Sequence, residues 1–205
     1  MPWAFSRGAM NRLQTALGDI GKLLNQKGFG WALVGGLAVS VRAEPRFTRD
    51  VDLAVAVEND REAERLVADL RGLGYQILET VEQETTGRFA TARLVPPGRD
   101  PGGVIVDLLF ASSGIEPEVV SSAAPLEVLP GLTVPVAGLP ELIALKLLSR
   151  DDSTRPQDAA DLVALASLAT AADFETARAL VRLIEGRKYN RGRDLSTQLE
   201  RLASS

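Results

Sequence analysis

Apolar residues recur at helical spacing near the start of the chain, with Leu13, Ala16, Leu17, Ile20, Leu23 and Leu24 along one side. The stretch from Met1 to Gly28 is therefore predicted to be an amphipathic helix that covers a sheet, ended by Gly28 and Gly30. The period then shortens. Ala32-Leu33-Val34 reads as a short buried strand, Gly35-Gly36 breaks it, Leu37 to Ala43 forms a brief helix, and Val51 to Val57 is a second strand. Asp60 to Leu73 returns to helical spacing with Ala63, Leu66, Val67 and Leu70 inward, Asp60 as cap and Gly72 and Gly74 near the end. Tyr75 to Glu79 and Phe89 to Val95 are strands separated by a polar Glu- and Thr-rich segment. The run from Pro96 to Gly103 is a loop, and it delivers the chain into a third apolar strand, Val104 to Phe110. Glu116 to Ala123 reads as a short helix, and Leu126 to Leu129 and Leu132 to Val136 pair around Pro130-Gly131.

From Leu139 the pattern is helical throughout: Glu141 to Ser149, Asp158 to Leu168, Phe174 to Glu185 and Leu195 to Leu202. The change sets a soft boundary near residue 138, giving an α/β core over 1–138 and a helical C-terminal subdomain over 139–205.

Polar residues that interrupt this apolar frame are the candidates for chemistry. Asp50 and Asp52 stand at the mouth of the second strand, and side chains two apart on a strand point the same way. Two carboxylates held together need a counter-ion, and hard oxygen donors suit Mg2+ or Mn2+, the former commonly shared with substrate phosphates. A nucleotide is thereby implied. Gly35-Gly36 ahead of a helix fits that ligand, since glycine lets backbone N–H groups approach a phosphate at a helix N-terminus. Asp107, alone among apolar neighbours in its strand, lies at an exposed edge or is compensated by a metal or a cation. Lys146, inside the apolar helix from Leu139 to Leu148, either snorkels to solvent or has a partner. The run Gly186 to Arg193 is the strongest basic segment. It is either a solvated loop between helices or a weak pointer to RNA, with cations on phosphates and Tyr189 stacking.

Composition narrows the chemistry. The 205 residues contain no cysteine and no histidine, which excludes thiolate nucleophiles, Ser-His-Asp triads, the usual zinc sites and imidazole acid–base catalysis. Hydrophobic residues at 45% suffice for a real core. A net charge of -4 argues against an overall electrostatic grip on nucleic acid. No signal peptide or membrane-length apolar span is visible, so a cytoplasmic protein without membrane contact is expected.

The order strand, Gly35-Gly36, short helix, then Arg46-x-Thr48-x-Asp50-x-Asp52 opening an apolar strand resembles the DNA-polymerase-β-like nucleotidyltransferases. The small prokaryotic members that include the AbiEii-type toxins are the most similar. They have a Leu-x-x-x-Lys-like helix followed by Arg-Pro-Lys-Asp-x-x-Asp-Leu, and this chain has Lys146 followed by Arg155-Pro156-Gln157-Asp158-Ala159-Ala160-Asp161-Leu162. Two departures stand out: Gln157 in place of lysine, and Leu37 where many relatives have serine after the glycines.

The resemblance implies a nucleotidyltransferase-like mixed sheet flanked by helices, with a helical C-terminal portion. It implies Asp107 as the third acid, holding two Mg2+ ions with Asp50 and Asp52 or acting as general base. It implies that Gly35 and Gly36 contact the phosphates through backbone, with Ser40 a turn later, and that Arg46, Thr48 and Lys146 surround them. Asp158 and Asp161 would orient Lys146 or Arg155, or favour their helix N-terminus. The reaction implied moves a nucleoside monophosphate from an NTP to a hydroxyl. The enzyme would be toxin-like, act on tRNA or another cellular target, and have a cognate antitoxin as partner. An antibiotic-modifying nucleotidyltransferase and a non-catalytic nucleotide-binding module are the other readings.

Overall fold

A computed structural model describes residues 7–43, 48–98, 103–151 and 156–204. Its centre is a seven-stranded sheet in the order β3-β4-β5-β2-β1-β7-β6. The strands are β1 (Trp31–Val34), β2 (Asp50–Val55), β3 (Gln76–Glu82), β4 (Phe89–Val95), β5 (Ile105–Leu109), β6 (Ala124–Leu129) and β7 (Leu132–Val136). β2–β5 and β1–β7 pair parallel, and the other neighbours pair antiparallel. The sheet is mixed, as the resemblance implied.

Alternation along the strands separates two faces. Leu33, Val51, Leu53, Val55, Ala92, Leu94, Val106 and Leu108 are all buried, and register places them on one side. α1 (Arg7–Gln26) and α3 (Asp60–Gly72) supply the apolar stripes that cover the sheet: Leu13, Leu17, Ile20 and Leu24 from the first, Ala63, Leu66 and Leu70 from the second. Gly21 of α1 is seated against the Trp31 indole, whose Nε1 donates to Asn25 Oδ1 at 2.8 Å. The opposite side bears Asp50, Asp52 and Asp107.

α3 is capped by Asn59 rather than by Asp60. Asn59 has extended backbone, with φ -159° and ψ 171°, and its side chain accepts from the Glu62 N–H. Asp60 is already inside the helix, where it accepts from Arg88 Nε at 2.6 Å.

The helical half begins at α5 (Leu139–Ser149), followed by α6 (Pro156–Leu168), α7 (Ala171–Gly186) and α8 (Leu195–Ala203). α5 is buried nearly all round because it packs on α6, α7 and α8 and also on α2 (Gly35–Arg42). α4 (Glu116–Ser122) joins the two halves: Ser122 Oγ donates to Glu141 of α5 at 2.7 Å, and Glu118 pairs with Arg187 at 2.7 Å. Among the described residues no helix is long and apolar enough to cross a membrane.

Candidate active site

The chain makes a sharp reversal between β1 and α2, and Gly35 carries it with φ +65°. A Cβ there would collide with the Asp52 carboxylate, so glycine is required twice over, for the left-handed backbone and for the close approach. Gly36 is buried in the first turn of α2. Both glycines line a cleft of about 710 Å³, together with Thr48, Asp50, Asp52 and Asp107.

The acids come from adjacent parallel strands. Asp52 and Asp107 are direct register partners, and Asp50 lies opposite Ile105, two residues earlier on the same face. The sequence placed Asp107 at an edge or beside a compensating charge, and the structure decides for the second. β5 is interior to the sheet, and Arg93 of β4 grips Asp107 with both arms, Nε to Oδ1 and Nη2 to Oδ2, each at 2.9 Å. The hydrogen bond to Asp107 raises the Arg93 pKa above its ordinary value. Burial opposes this, and the charges of Asp107, Asp50 and Asp52 add to it.

That grip occupies the acid expected to complete the metal set. Among the described residues no three acidic side chains stand close enough to hold a metal ion as they lie. The backbone brings Asp50, Asp52 and Asp107 to one face, but both oxygens of Asp107 point to a guanidinium. The donor chemistry and register of the three acids fit a hard divalent cation. The Asp107 rotamer does not yet do so.

Lys146 also lines the cleft, and it does not snorkel. Its ammonium is 2.6 Å from Asp158 Oδ1 and 2.8 Å from Asp161 Oδ2, and all three side chains are buried. Asp158 also accepts from Ser149 Oγ at 2.9 Å. The i, i+3 spacing of the two aspartates on α6 brings both to Lys146 on α5, one of the arrangements the resemblance implied.

Other expected residues are placed differently. Ser40 is buried in α2 with its hydroxyl donating to the Gly36 carbonyl at 2.9 Å, and it does not line the cleft. A serine inside a helix satisfies its hydroxyl on the carbonyl one turn back, which is why the expected phosphate contact is not supported here. Thr48 does line the cleft, its Oγ1 3.5 Å from the Asp50 carbonyl. Arg46 and Arg155 lie outside the described residues.

The basic run is mostly exposed, but several of its members are tied to the protein itself. Tyr189 is buried with its ring against Gly114, so it has no face for a base. Arg187 is bound to Glu118 and the Gly114 carbonyl, and Arg193 donates to the carbonyls of Leu148 and Arg150. Only part of the run faces the cleft, through Arg191.

Sequence reasoning missed Arg93 and Glu116. The alternation Thr91, Arg93 in β4 showed a polar face, yet which strand lay beside it was not readable. Glu116, 2% exposed at the start of α4, closes the loop after β5: its Oε1 accepts from the N–H groups of Ser112 and Ser113 and from Ser113 Oγ. Its Oε2 is buried without a hydrogen-bond partner among the described residues, and burial pushes its carboxyl above the ordinary range, partly offset by those bonds.

An antigenic nucleotidyltransferase-like protein from Paracoccidioides brasiliensis is similar at 18% identity and TM-score 0.54, covering 94% of each chain. The antibiotic-resistance factor ANT(2'')-Ia is similar at 17% identity and TM-score 0.50, covering 95% of each chain. At such identities the likeness defines the nucleotidyltransferase fold. Residues 23–204 match the nucleotidyl transferase AbiEii toxin family of type IV toxin–antitoxin systems, and the chain belongs to that family. No curated protein matches it.

Proposed function

We propose that the chain is a Mg2+- or Mn2+-dependent enzyme that moves a nucleoside monophosphate from an NTP to a hydroxyl acceptor, with tRNA as acceptor. The observation that carries this reading is the placement of Asp50, Asp52 and Asp107 on one sheet face beside the Gly35 turn, at the mouth of the cleft. Family membership supports the reaction class.

Asp50 and Asp52 would hold the cation, with Asp107 as third ligand or as base. A bound divalent ion would supply positive charge at the phosphate oxygens and at the departing pyrophosphate. Gly35 and Gly36, at the start of α2, offer backbone N–H groups to the triphosphate. The acceptor oxygen forms a bond to the α-phosphorus as the bond to pyrophosphate breaks, and the hydroxyl proton passes to Asp107 when that carboxylate is free to take it. Lys146 stands on the cleft wall with its ammonium held by Asp158 and Asp161, and in this scheme it reaches a phosphate by exchanging one of those carboxylates for it. In this scheme residues 1–138 form the core that carries the acids, and 139–205 form the helical portion that brings the lysine. In this reading the enzyme acts in the cytoplasm, and the toxin–antitoxin family supports an antitoxin protein as its partner.

The test is incubation with Mg2+, each labelled NTP in turn and total RNA. Labelled RNA that disappears in the Asp52→Ala variant is the expected result. Label on a small aminoglycoside or lincosamide instead of RNA would replace tRNA by an antibiotic acceptor. NTP consumption that is absent, or unchanged by Asp52→Ala, would leave a nucleotide-binding module.

A further inference from the structure

The acid-bearing face does not stop at Asp107. In the antiparallel registers, Arg93 of β4 lies opposite Asp107 of β5 on one side and opposite Glu79 of β3 on the other. The three side chains form a row across the sheet, and all three line the cleft. Arg93 is 42% exposed at its side chain while Asp107 is 11% exposed, so the guanidinium can leave without unpacking the core. Glu79 is exposed at the far end of the row. A guanidinium and a divalent cation seek the same two oxygens of Asp107, and both cannot have them.

We propose that Arg93 is the positioning residue of the third acid: it holds Asp107 until a divalent cation binds there in exchange, and Glu79 receives the displaced guanidinium. This rests on the nucleotidyltransferase reading and deepens it. The cation meets a carboxylate already fixed in rotamer rather than one swinging in water. The exchange also makes metal binding weaker than three bare carboxylates would allow, since the incoming ion must break two charge-assisted hydrogen bonds. A two-position arginine is the physical content of the row: the same long side chain has an acid within one strand spacing on either hand.

The experiment is titration with Mn2+ alone, read by electron paramagnetic resonance of the free ion, with thermal melting to verify that each variant folds. Arg93→Gln is expected to bind Mn2+ roughly threefold to tenfold tighter than the parent, the range expected for losing a competing, partly exposed ion pair. Arg93→Lys, which keeps the charge but loses the two-armed grip, should show part of that gain. In the Asp107→Asn background the gain from Arg93→Gln should shrink by more than half. Glu79→Gln should weaken binding in the parent and have no effect in the Arg93→Gln background, whereas a simple loss of negative charge would weaken both alike.

Binding by Arg93→Gln that is no tighter than the parent's overturns the proposal, as does an equal gain in the Asp107→Asn background. Either result leaves the nucleotidyltransferase reading standing. Failure of the parent chain to bind Mn2+ at all would overturn both.

Discussion

Replacing Lys146 by methionine should destabilise the fold more than any other single polar substitution in the helical half. The side chains of Lys146, Asp158 and Asp161 are 6%, 3% and 4% exposed, and one ammonium serves both carboxylates at 2.6 and 2.8 Å. Methionine fills the volume and adds apolar contact, so the loss is electrostatic. Removing one partner of a buried ion pair costs about 3–5 kcal/mol, and a loss in that range is expected here because Lys146 serves two carboxylates. Against a total stability of about 5–15 kcal/mol for a domain, that is a large fraction. Asp161→Asn removes one acid but leaves the Lys146–Asp158 pair, so its cost should be about 1–2 kcal/mol. Combining Lys146→Met with Asp161→Asn should recover part of the first loss, since one of the two carboxylates that the ammonium served is then neutral. Urea denaturation of the ligand-free protein measures these differences apart from any role in the cleft. A Lys146→Met cost below about 1 kcal/mol, or an Asp161→Asn cost equal to it, would refute the idea that one lysine holds two buried charges in place.

Gly35→Ala places an L residue at φ +65° for about 1–2 kcal/mol and drives its Cβ into the Asp52 carboxylate; urea denaturation should show the loss, and Mn2+ titration should show weakened binding. Glu116 has a folded pKa raised above its ordinary 4.5, so the folded state holds its proton longer than the unfolded chain, and stability falls as pH rises from about 4.5 through the raised value. Glu116→Gln has no such proton to lose, and its melting temperature relative to the parent should climb across that window; a constant difference would show that Glu116 is not held protonated. Asn59→Ala should cost about 1 kcal/mol in urea denaturation through loss of the α3 cap, with no change in Mn2+ binding.

Periodicity made most elements legible because their burial is one-sided. α1 and α3 show a clean helical stripe, and β2 shows alternation in which Asp50 and Asp52 share the polar phase. β3 was read too short, since its seven residues are almost wholly exposed and no buried phase marks where it ends. The site was legible where one element sufficed, as in the Gly35 turn and the paired aspartates. It was opaque where the answer lay between elements. The Arg93–Asp107 contact depends on which strand neighbours β5, and hydrophobic pattern is silent on strand order. The basic run was left between a solvated loop and a pointer to RNA, because charge density along a sequence does not reveal that Tyr189 is packed against Gly114, or that Arg187 and Arg193 are engaged by Glu118 and by backbone carbonyls.

The walls of the cleft are drawn from nearly the whole polypeptide, beginning at Val34 and ending at Arg191. The parallel pairing of β2 with β5 cannot form until an intervening hairpin and helix have been traversed, and the lysine of α5 acquires its acids only from the helix that follows. Domains emerge from the ribosome N-terminus first, and long-range pairings close last. A nascent chain halted anywhere before α6 therefore exposes aspartates without a finished chamber around them, and the cleft is walled in full only once synthesis has passed Arg191.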